Sequence, residues 1–516
     1  MFERRDVWEL SEEDPWHPII EWYARAVGAM QAKDSEDFSD PTSWRYLANI
    51  HGVDLEELPR SSWPQGATWN ECQHNSWFFL PWHRIYLHYF EQVVRQTIAD
   101  LGGPDDWALP YWDYSDPDRE NVRRLPPAFR EPQMPSGDPN PLRVSQRRTT
   151  PFDINQGGEL PPFVVDTGDA MAMKFFSRLR LDVDPRPEEI SLATGFGGPR
   201  TGWNHAEGRP GVLEVAPHGF VHGGVGGTEP LGLMSLFETA ARDPIFWLHH
   251  ANIDRLWEAW LALGDPSNPD SLEFRNPHGR SGERWLNMWF KVGGGASAVI
   301  LRVREVLDTT QPPLSYRYSN ITLPAPAPVV LAASADTESR FSEEEPVPQQ
   351  GPEDTFPELV GASEDRVPLA AAPTEVDVDV GAPTGPALMA ERAEGAQLRR
   401  VYLKVENVSG TVPSAAGYLV YVNLPPGADT ATDLARYEDR RVGQVTMFGV
   451  REASESNEEH SGSGLTFSFD ITGLVQRLQE AREWDPQRLR VTFTPVLAGA
   501  EQGGDVSVGR VSLFYV

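Results

Sequence analysis

The sequence is poor in cysteine, in basic residues and in long hydrophobic runs. Cys72 is the only cysteine among 516 residues, which excludes a framework of internal disulfides. Lysine and arginine number 45 against 76 acidic residues, and a net charge of −31 argues against nucleic acid or an anionic membrane as a partner. No apolar run approaches the length of a transmembrane helix, and the start of the chain lacks the apolar stretch of a signal peptide. We therefore expect a cytoplasmic protein; these patterns do not determine its oligomeric state.

Tryptophan and histidine are concentrated in the first part of the chain. Residues 1–320 hold 16 of the 17 tryptophans and 11 of the 12 histidines. Helical periodicity recurs there, most clearly over 81–98 and after Asp243-Pro244, and Gly/Pro/Asp-rich loops separate the helical windows. The length predicts roughly two to four domains. We predict that the first is a mainly α domain over residues 1–320, a helical bundle with long loops.

The composition changes twice after residue 320. Residues 331–364 contain nine acids and one base, so we interpret 321–364 as a flexible acidic linker, either a solvated spacer or a protease-sensitive tether. Beyond it, apolar residues alternate or cluster between turns, which predicts an all-β sandwich or barrel over 365–516 with one helix at Thr472–Arg482. The predicted strands are Val401–Val405, Tyr418–Asn423, Val442–Phe448, Leu465–Phe469, Arg490–Thr494 and Val506–Tyr515.

Two groups of histidines stand out in the α domain. The first is His51, His74 and His83; Pro81 suits the first turn of a helix, which places His83 on that turn and His74 before it. The second begins with His218 and His222, whose i,i+4 spacing predicts two imidazoles on one helix face.

The adjacent pair His249-His250 completes the second group. His250 shares a helical stripe with Phe246, Ile253 and Trp257, but His249 also has apolar neighbours, so spacing alone does not choose between them. Six inward-facing imidazoles need a reason, because unpartnered polar groups are costly in a core. Imidazole suits zinc, copper, iron or nickel. The lack of a cysteine quartet argues against structural zinc, and the lack of carboxylates at ligand spacing argues against a di-iron site or a dizinc hydrolase.

Two long motifs resemble the copper-binding signatures of type-3 copper proteins, the family of tyrosinases, catechol oxidases and molluscan-type haemocyanins. Residues 74–91, with the pattern His-x4-Phe-Leu-x-Trp-His-Arg-x2-Leu-x3-Glu, are similar to the copper A signature. Residues 243–254, Asp-Pro-Ile-Phe-Trp-Leu-His-His-Ala-Asn-Ile-Asp, are similar to the copper B signature, which places its ligand on the later histidine. The resemblance implies two copper ions with dioxygen as co-substrate, held by His51, His74 and His83 (copper A) and by His218, His222 and His250 (copper B).

The resemblance also implies an activity and its control. Members oxidise o-diphenols to o-quinones, and some hydroxylate monophenols, so small phenols are the expected substrates. The strands after residue 365 resemble the C-terminal β-domain that covers the site in latent plant and some bacterial enzymes, which predicts a latent oxidase activated by cutting the linker. The alternative is an oxygen carrier resembling a haemocyanin unit, although a lone unit without tandem copies speaks against it.

Further residues take roles from the same resemblance. Cys72 and His74 have the Cys-x-His spacing at which some members form a thioether. Glu214 matches the glutamate that holds a water near the phenol, and Phe237 matches the phenylalanine gate over copper A. Many monophenolases carry asparagine after the first copper B ligand, where this chain has Gly219, so monophenol hydroxylation is in doubt.

Two more positions carry expectations about the pocket and the ligands. Gly223, directly after His222, predicts an open pocket wall and a roomy, neutral pocket. Asp254, one turn beyond His250, is expected either to orient that ligand or to form a surface ion pair.

Overall fold

The computed structural model describes residues 1–322, 358–381 and 400–515, apart from 118, 178–193, 265, 267, 270–284, 426, 429–433, 458–460, 486 and 500–503. Residues 323–357, most of the predicted linker, lie outside the described residues, as do His278 and His460.

The N-terminal domain is built on helices that surround one aromatic core. Its helices are α1 (Val7–Glu13), α2 (Pro18–Asp37), α3 (Trp44–His51), α4 (Phe79–Asp100), α5 (Gly168–Met171), α6 (Phe220–Gly226), α7 (Phe237–Ala240) and α8 (Ile245–Leu261). The longest, α2, α4 and α8, bury their apolar stripes against each other; for example, the rings of Phe90 and Trp247 stack with centroids 3.4 Å apart. None of the described helices is both long and apolar enough to cross a bilayer.

Of the two predicted helix starts, one differs in detail from the sequence prediction and the other agrees with it. Helix α4 begins at Phe79 rather than near Pro81, so His83 lies on its second turn. Helix α8 begins after Asp243-Pro244 as predicted, and the Asp243 carboxylate accepts a hydrogen bond from the amide of Ile245 at 3.1 Å.

Short strands close the N-terminal domain. Strand β1 (Phe2–Arg4) pairs in parallel with β4 (Tyr316–Tyr318), while β2 (Trp289–Val292) pairs antiparallel with β3 (Val299–Arg302). The first residues of the chain are thereby joined to the last strand of the domain.

The C-terminal domain is a curled antiparallel sheet. Its strands are β5 (Glu358–Ala362), β6 (Val367–Pro368), β7 (Thr374–Val380), β8 (Val401–Val408), β9 (Ala415–Val422), β10 (Arg441–Thr446), β11 (Leu465–Asp470), β12 (Arg488–Ala498), β13 (Ser507–Val508) and β14 (Arg510–Tyr515), with helices α9 (Val450–Ser454) and α10 (Thr472–Glu480). Eight of them form one sheet in the order β10-β9-β12-β7-β5-β14-β8-β11. The Phe469 ring of one edge strand lies against Gly443 of the other, so the sheet is barrel-like.

The fold class predicted from the sequence is confirmed: a mainly α domain is followed by an all-β domain. The six predicted strands are present with shifted ends, and Gly509 divides the last into β13 and β14. The two domains pack directly on each other, since Arg441 of β10 pairs with Asp169 at 3.0 Å and the Phe220 ring of α6 lies against Gly417 of β9.

Candidate metal centre

Four helices, one π-helical turn and the segment before α4 bring the six predicted ligands together. His51 ends α3, His83 lies on α4 and His250 on α8, while His74 lies in the segment before α4. A π-helical turn, Glu214–Gly219, carries His218 and leads directly into α6, which carries His222. The backbone break in that turn is at Ala216, before His218, so the two histidines keep the predicted i,i+4 relation, with ring centroids 4.7 Å apart.

The six imidazoles form two adjoining triads. In the first, ring centroids are 5.3 Å apart for His51 and His74, 5.2 Å for His74 and His83, and 5.6 Å for His51 and His83. In the second they are 4.7 Å apart for His218 and His222, 5.0 Å for His218 and His250, and 5.5 Å for His222 and His250. The triads meet where the ring of His83 stacks on that of His250 at 4.5 Å.

Backbone carbonyls anchor four of these rings through Nδ1. The Nδ1 atoms of His51 and His83 lie 2.9 Å and 2.8 Å from the carbonyl oxygens of Phe237 and Phe79. Those of His218 and His222 lie 3.1 Å and 2.8 Å from the carbonyls of Glu214 and Met234. A carbonyl only accepts, so Nδ1 carries the proton and Nε2 is left with a free lone pair.

The anchored rings aim unpartnered nitrogens at a common space. The Nε2 atoms of His51, His83 and His218 are buried without a hydrogen-bond partner, and His74 lacks a partner at both ring nitrogens. Such orphaned acceptors are costly in a core unless a ligand completes them. Around them, three clusters of buried side chains bring ligand atoms within 4.8 Å of one another, and in the described part of the chain these clusters hold imidazoles and one thiol but no carboxylate.

One of these clusters contains both His249 and His250, together with His218 and His222. Nδ1 of His249 lies 3.1 Å from the Tyr114 hydroxyl, and its Nε2 is a buried atom without a partner. His250 belongs to the second triad and lies where that triad meets the first, with its Nε2 3.3 Å from that of His222.

Burial keeps these imidazoles neutral. Desolvation lowers the pKa of His51 to about 4. It lowers the pKa well below the ordinary value for the other five: His74, His83, His218, His222 and His250. Neighbouring imidazoles lower the pKa of each of these five further. Neutral imidazole is the form that binds a metal, so this donor set fits two ions of the copper or zinc type.

Glu214 lies at the start of the π-helical turn with only 4% of its surface exposed. Its two carboxylate oxygens accept hydrogen bonds from the amide of Asn75 at 2.8 and 3.0 Å. Burial raises the pKa of Glu214 to about 8, and the backbone hydrogen bonds partly oppose that rise.

Two phenylalanines cover the histidines. The ring of Phe237 stacks on His74 at 4.1 Å. Phe448 comes from the C-terminal domain, and its ring stacks on His222 at 3.9 Å and contacts Phe237 at 4.5 Å. Gly449 allows this approach: its φ is +81°, and a Cβ there would lie 2.5 Å from the Phe237 ring.

The C-terminal domain also fills the wall that Gly223 leaves open, so the expectation of a roomy pocket is wrong in this structure. A Cβ on Gly223 would lie 2.9 Å from that of Ala416 on β9. A Cβ on Gly219 would lie 2.5 Å from Oγ1 of Thr446 on β10. Gly223, which was predicted to shape a substrate pocket, and Gly219 are both contact points of the covering domain.

Comparison with known proteins gives the family. The sequence family described as the common central domain of tyrosinase matches residues 41–263, a range that includes all six histidines. A tyrosinase of Hahella sp. (strain CCB-MM4) is 33% identical over 535 residues, covering 99% of this chain and 98% of that protein. The chain belongs to the tyrosinase family. It is an enzyme, a copper oxidase of that family.

Other relatives of the tyrosinase family share one or both domains. A chloroplastic polyphenol oxidase of Vitis vinifera is 29% identical over 315 residues, which are 59% of this chain and 46% of that protein. The structure of latent apple tyrosinase aligns over 100% of this chain and 97% of its own, with a TM-score of 0.55 and 20% identity. A latent aurone synthase aligns over 100% and 89%, with a TM-score of 0.55 and 19% identity. Residues 356–516 match a family described as a domain of unknown function.

Asp254 has neither of the two roles expected from the sequence. It is buried, and its carboxylate accepts hydrogen bonds from Arg84 at 2.5 Å and from the hydroxyls of Tyr316 and Tyr318 at 2.5 and 2.6 Å. Arg4 pairs with it at 3.4 Å. This network joins α8 to α4 and to β4, so it supports the tyrosinase-type helices rather than a single ligand.

Sequence reasoning missed Phe448 and Asn204. Phe448 ends a predicted strand, and nothing in that pattern indicates that its ring reaches another domain. Asn204 lies in a Gly/Pro-rich loop, and its amide donates to the carbonyl of His74 at 2.9 Å. A polar residue in such a loop gives no sequence signal. Cys72 and His74 were linked by spacing, and the structure buries Cys72 with its thiol within 4.8 Å of ligand nitrogens of His51 and His74.

Proposed function

We propose that this chain is a dicopper oxidase that converts o-diphenols to o-quinones with dioxygen. His51, His74 and His83 hold one copper ion, and His218, His222 and His250 hold the other. The observation that carries the proposal is the pair of adjoining triads of neutral, buried imidazoles, five of which have an unpartnered ring nitrogen. Copper bound there would supply the redox chemistry, in which two diphenols each lose two electrons and two protons and one dioxygen is reduced to two waters.

The protein's own contribution is to keep six ligands neutral and fixed. Carbonyl contacts at Nδ1 hold four rings in one tautomer, which orients Nε2 toward the metal and raises its basicity. The buried Arg84–Asp254 pair fixes the helices that carry His83 and His250. The rings therefore need little rearrangement when the ions bind.

Glu214 is our candidate for holding the water that takes the proton of the phenol; because its pKa is raised to about 8, the carboxyl itself can accept a proton only above that pH. It is buried, it directly precedes the turn that carries His218, and it lies near the copper A ligands through its contact with Asn75. Gly219 offers no side-chain amide to hold a water opposite it. We therefore assign diphenol oxidation to this site and expect little hydroxylation of monophenols.

Phe237 is our candidate for the aromatic wall beside the substrate. Its ring covers His74 from one side, and the second aromatic ring on the site, Phe448, belongs to the C-terminal domain. A phenolic ring that enters the site takes the place of Phe448 against Phe237 and His222.

We propose that the closed arrangement of the two domains is a latent form. The Phe448 ring occupies the face of His222 that a substrate would approach, and the C-terminal domain packs against Gly219 and Gly223 around it. Access for a phenol requires this domain to move or leave. Strand β5 takes up residues 358–362 of the predicted 321–364 linker, so a cut before β5 is the predicted route to activation.

Cys72 forms a thioether with the His74 ring in this proposal. The thiol and a ring C–H each lose a hydrogen atom as the C–S bond forms, and dioxygen at the copper centre accepts the two electrons. The bond would fix a ring that has no other anchor at its nitrogens.

Oxygen uptake measured with catechol, L-DOPA and tyrosine tests the proposed activity. We expect the copper-loaded protein, with Phe448→Ala to open the site, to oxidise both diphenols and to leave tyrosine nearly untouched. Reversible oxygen binding without diphenol turnover in that variant would favour the haemocyanin-like alternative. Turnover of tyrosine would show that Glu214 suffices without asparagine at position 219.

A further inference from the structure

His74 differs from the other predicted copper ligands in how it is held. Of the six, it alone has two ring nitrogens without a hydrogen-bond partner, and it lies outside any helix. Its orientation therefore depends on its backbone and on the contact of its ring with Phe237. A ligand held in this way needs support from a neighbouring segment.

The loop around Asn204 supplies that support on both sides of the His74 peptide. The amide N–H of His74 donates to the carbonyl of Asn204 at 3.1 Å. The side-chain amide of Asn204 donates to the carbonyl of His74 at 2.9 Å and to that of Glu207 at 2.7 Å. The backbone amide of Asn204 donates to Oε1 of Gln73 at 3.0 Å. One residue thus fixes the position of the His74 backbone.

The same clamp extends to Glu214. The Asn204 side chain also lies 3.3 Å from the carbonyl of Asn75, whose amide donates to both oxygens of Glu214. The side chain of Asn75 donates in turn to the carbonyl of Ala206. Displacing the loop around Asn204 would therefore move the predicted ligand His74 and the carboxyl of Glu214 together.

We infer that Asn204 is a positioning residue of the copper A site, which it holds through the backbone of His74. The inference rests on the proposed dicopper function. Asparagine suits the task because its side-chain amide offers two donors to neighbouring carbonyls, while its backbone carbonyl, which any residue would supply, accepts from the His74 amide. Alanine removes the donors and leaves the carbonyls of His74 and Glu207 without this partner.

Copper titration of the metal-free full-length protein tests the inference. For Asn204→Ala we expect one of the two copper ions to bind at least about tenfold more weakly, while the ion at His218, His222 and His250 binds normally. The increase in melting temperature on copper addition should shrink in parallel. Asn204→Ser keeps one donor and should show the same change to a smaller extent, which covers the case in which the alanine variant does not fold.

Asn140→Ala is the matched control. Asn140 is also a buried loop clamp, donating from its side chain to the carbonyls of Ala128 at 2.6 Å and Glu131 at 2.8 Å, and it contacts none of the six histidines. We expect it to lower the melting temperature of the metal-free protein yet to bind both ions as the unaltered chain does. Two ions bound with unaltered affinity in both Asn204 variants would overturn the inference. Failure of the unaltered protein to bind copper would instead overturn the proposed function.

Discussion

At the scale of single residues, Phe448 is the clearest barrier to substrate. Its ring stacks within 3.9 Å of His222 and fills the space beside Phe237. Truncating a buried phenylalanine to alanine removes contacts worth about 3–5 kcal/mol. Those contacts exist only while the C-terminal domain covers the site, so losing them destabilises the covered form and not the open form.

The variant Phe448→Ala should therefore activate the intact chain. We expect the kcat/KM for catechol to rise at least about tenfold, which corresponds to about 1.4 kcal/mol. Phe467→Ala is the control, because Phe467 is buried within the β domain and contacts no histidine. If both variants show the same activity, the barrier role of Phe448 is wrong.

The proposed thioether has a simple signature at this scale. The intact mass of copper-loaded protein should be lower than the sequence mass by two hydrogen atoms, because C–S bond formation removes them. Cys72→Ser cannot form the bond and should show its full sequence mass, as should protein never exposed to copper. A full sequence mass for copper-loaded protein with Cys72 intact would contradict the proposal.

At the scale of elements, helix α9 holds the Phe448 turn against α7. The Glu452 carboxyl on α9 is hydrogen-bonded to Glu238 on α7 and accepts from the amide of Phe237 at 3.2 Å. Burial, followed by repulsion from Glu238, raises the pKa of Glu452 well above its ordinary value. The other charged groups here are Arg451, which lies 3.5 Å from both Glu238 and Glu455, and Glu455 itself.

This contact predicts that rising pH favours opening. In the closed form the pKa of Glu452 is raised, so its stabilisation is complete below the ordinary carboxyl pKa and is lost as the pH rises through the raised value. The activity of the intact enzyme, divided by that of Phe448→Ala at the same pH, should therefore increase with pH.

Glu452→Gln tests the source of this dependence. Glutamine keeps the acceptor for Phe237 and a donor for Glu238 but does not titrate, so the activity ratio should stay low and flat. Glu455→Gln removes an exposed carboxylate from the same region and should leave the dependence intact. If the activity ratio rises with pH as steeply in Glu452→Gln as in the unaltered enzyme, the Glu452 carboxyl is not the cause.

Most elements were predictable from local patterns, and those that were not have identifiable causes. Helices α4 and α8 carry long apolar stripes with proline near their starts, so they were found. Strand β7 was missed although Val376, Val378 and Val380 alternate with polar residues as a half-buried strand does. The π-helical turn before α6 was not predictable, because i,i+4 spacing does not show where proline breaks the hydrogen bonding.

At the scale of the whole molecule, the two domains form a site and its cover. The ligand set could be proposed from the sequence, since histidine spacing and two long motifs mark it. The sequence allowed the C-terminal domain to be proposed as a cover, but it did not identify the residues that cover the site. Phe448 and Thr446 reach the site through contacts between distant segments. Contacts of this kind leave no periodic signal in the chain.

The proposed latency requires that the two domains remain tethered. A tether gives the covering domain a high local concentration, on the order of millimolar for a short flexible linker. Contacts such as Arg441–Asp169 persist after the chain is cut, so a protein cleaved between residues 321 and 357, before β5, should stay partly covered. Its specific activity should rise on dilution as the domains separate, whereas that of the intact chain should not. Equal, dilution-independent activity of both forms would contradict tethered latency.

The central claim is that six histidines hold two copper ions. The most direct test is the metal content of the copper-loaded full-length protein, measured by elemental analysis beside His83→Ala and His222→Ala. We predict two copper ions in the unaltered chain and the loss of one ion in each variant, because each removes a ligand from a different triad. One copper ion or none in the unaltered protein, or zinc retained in its place, would contradict the account.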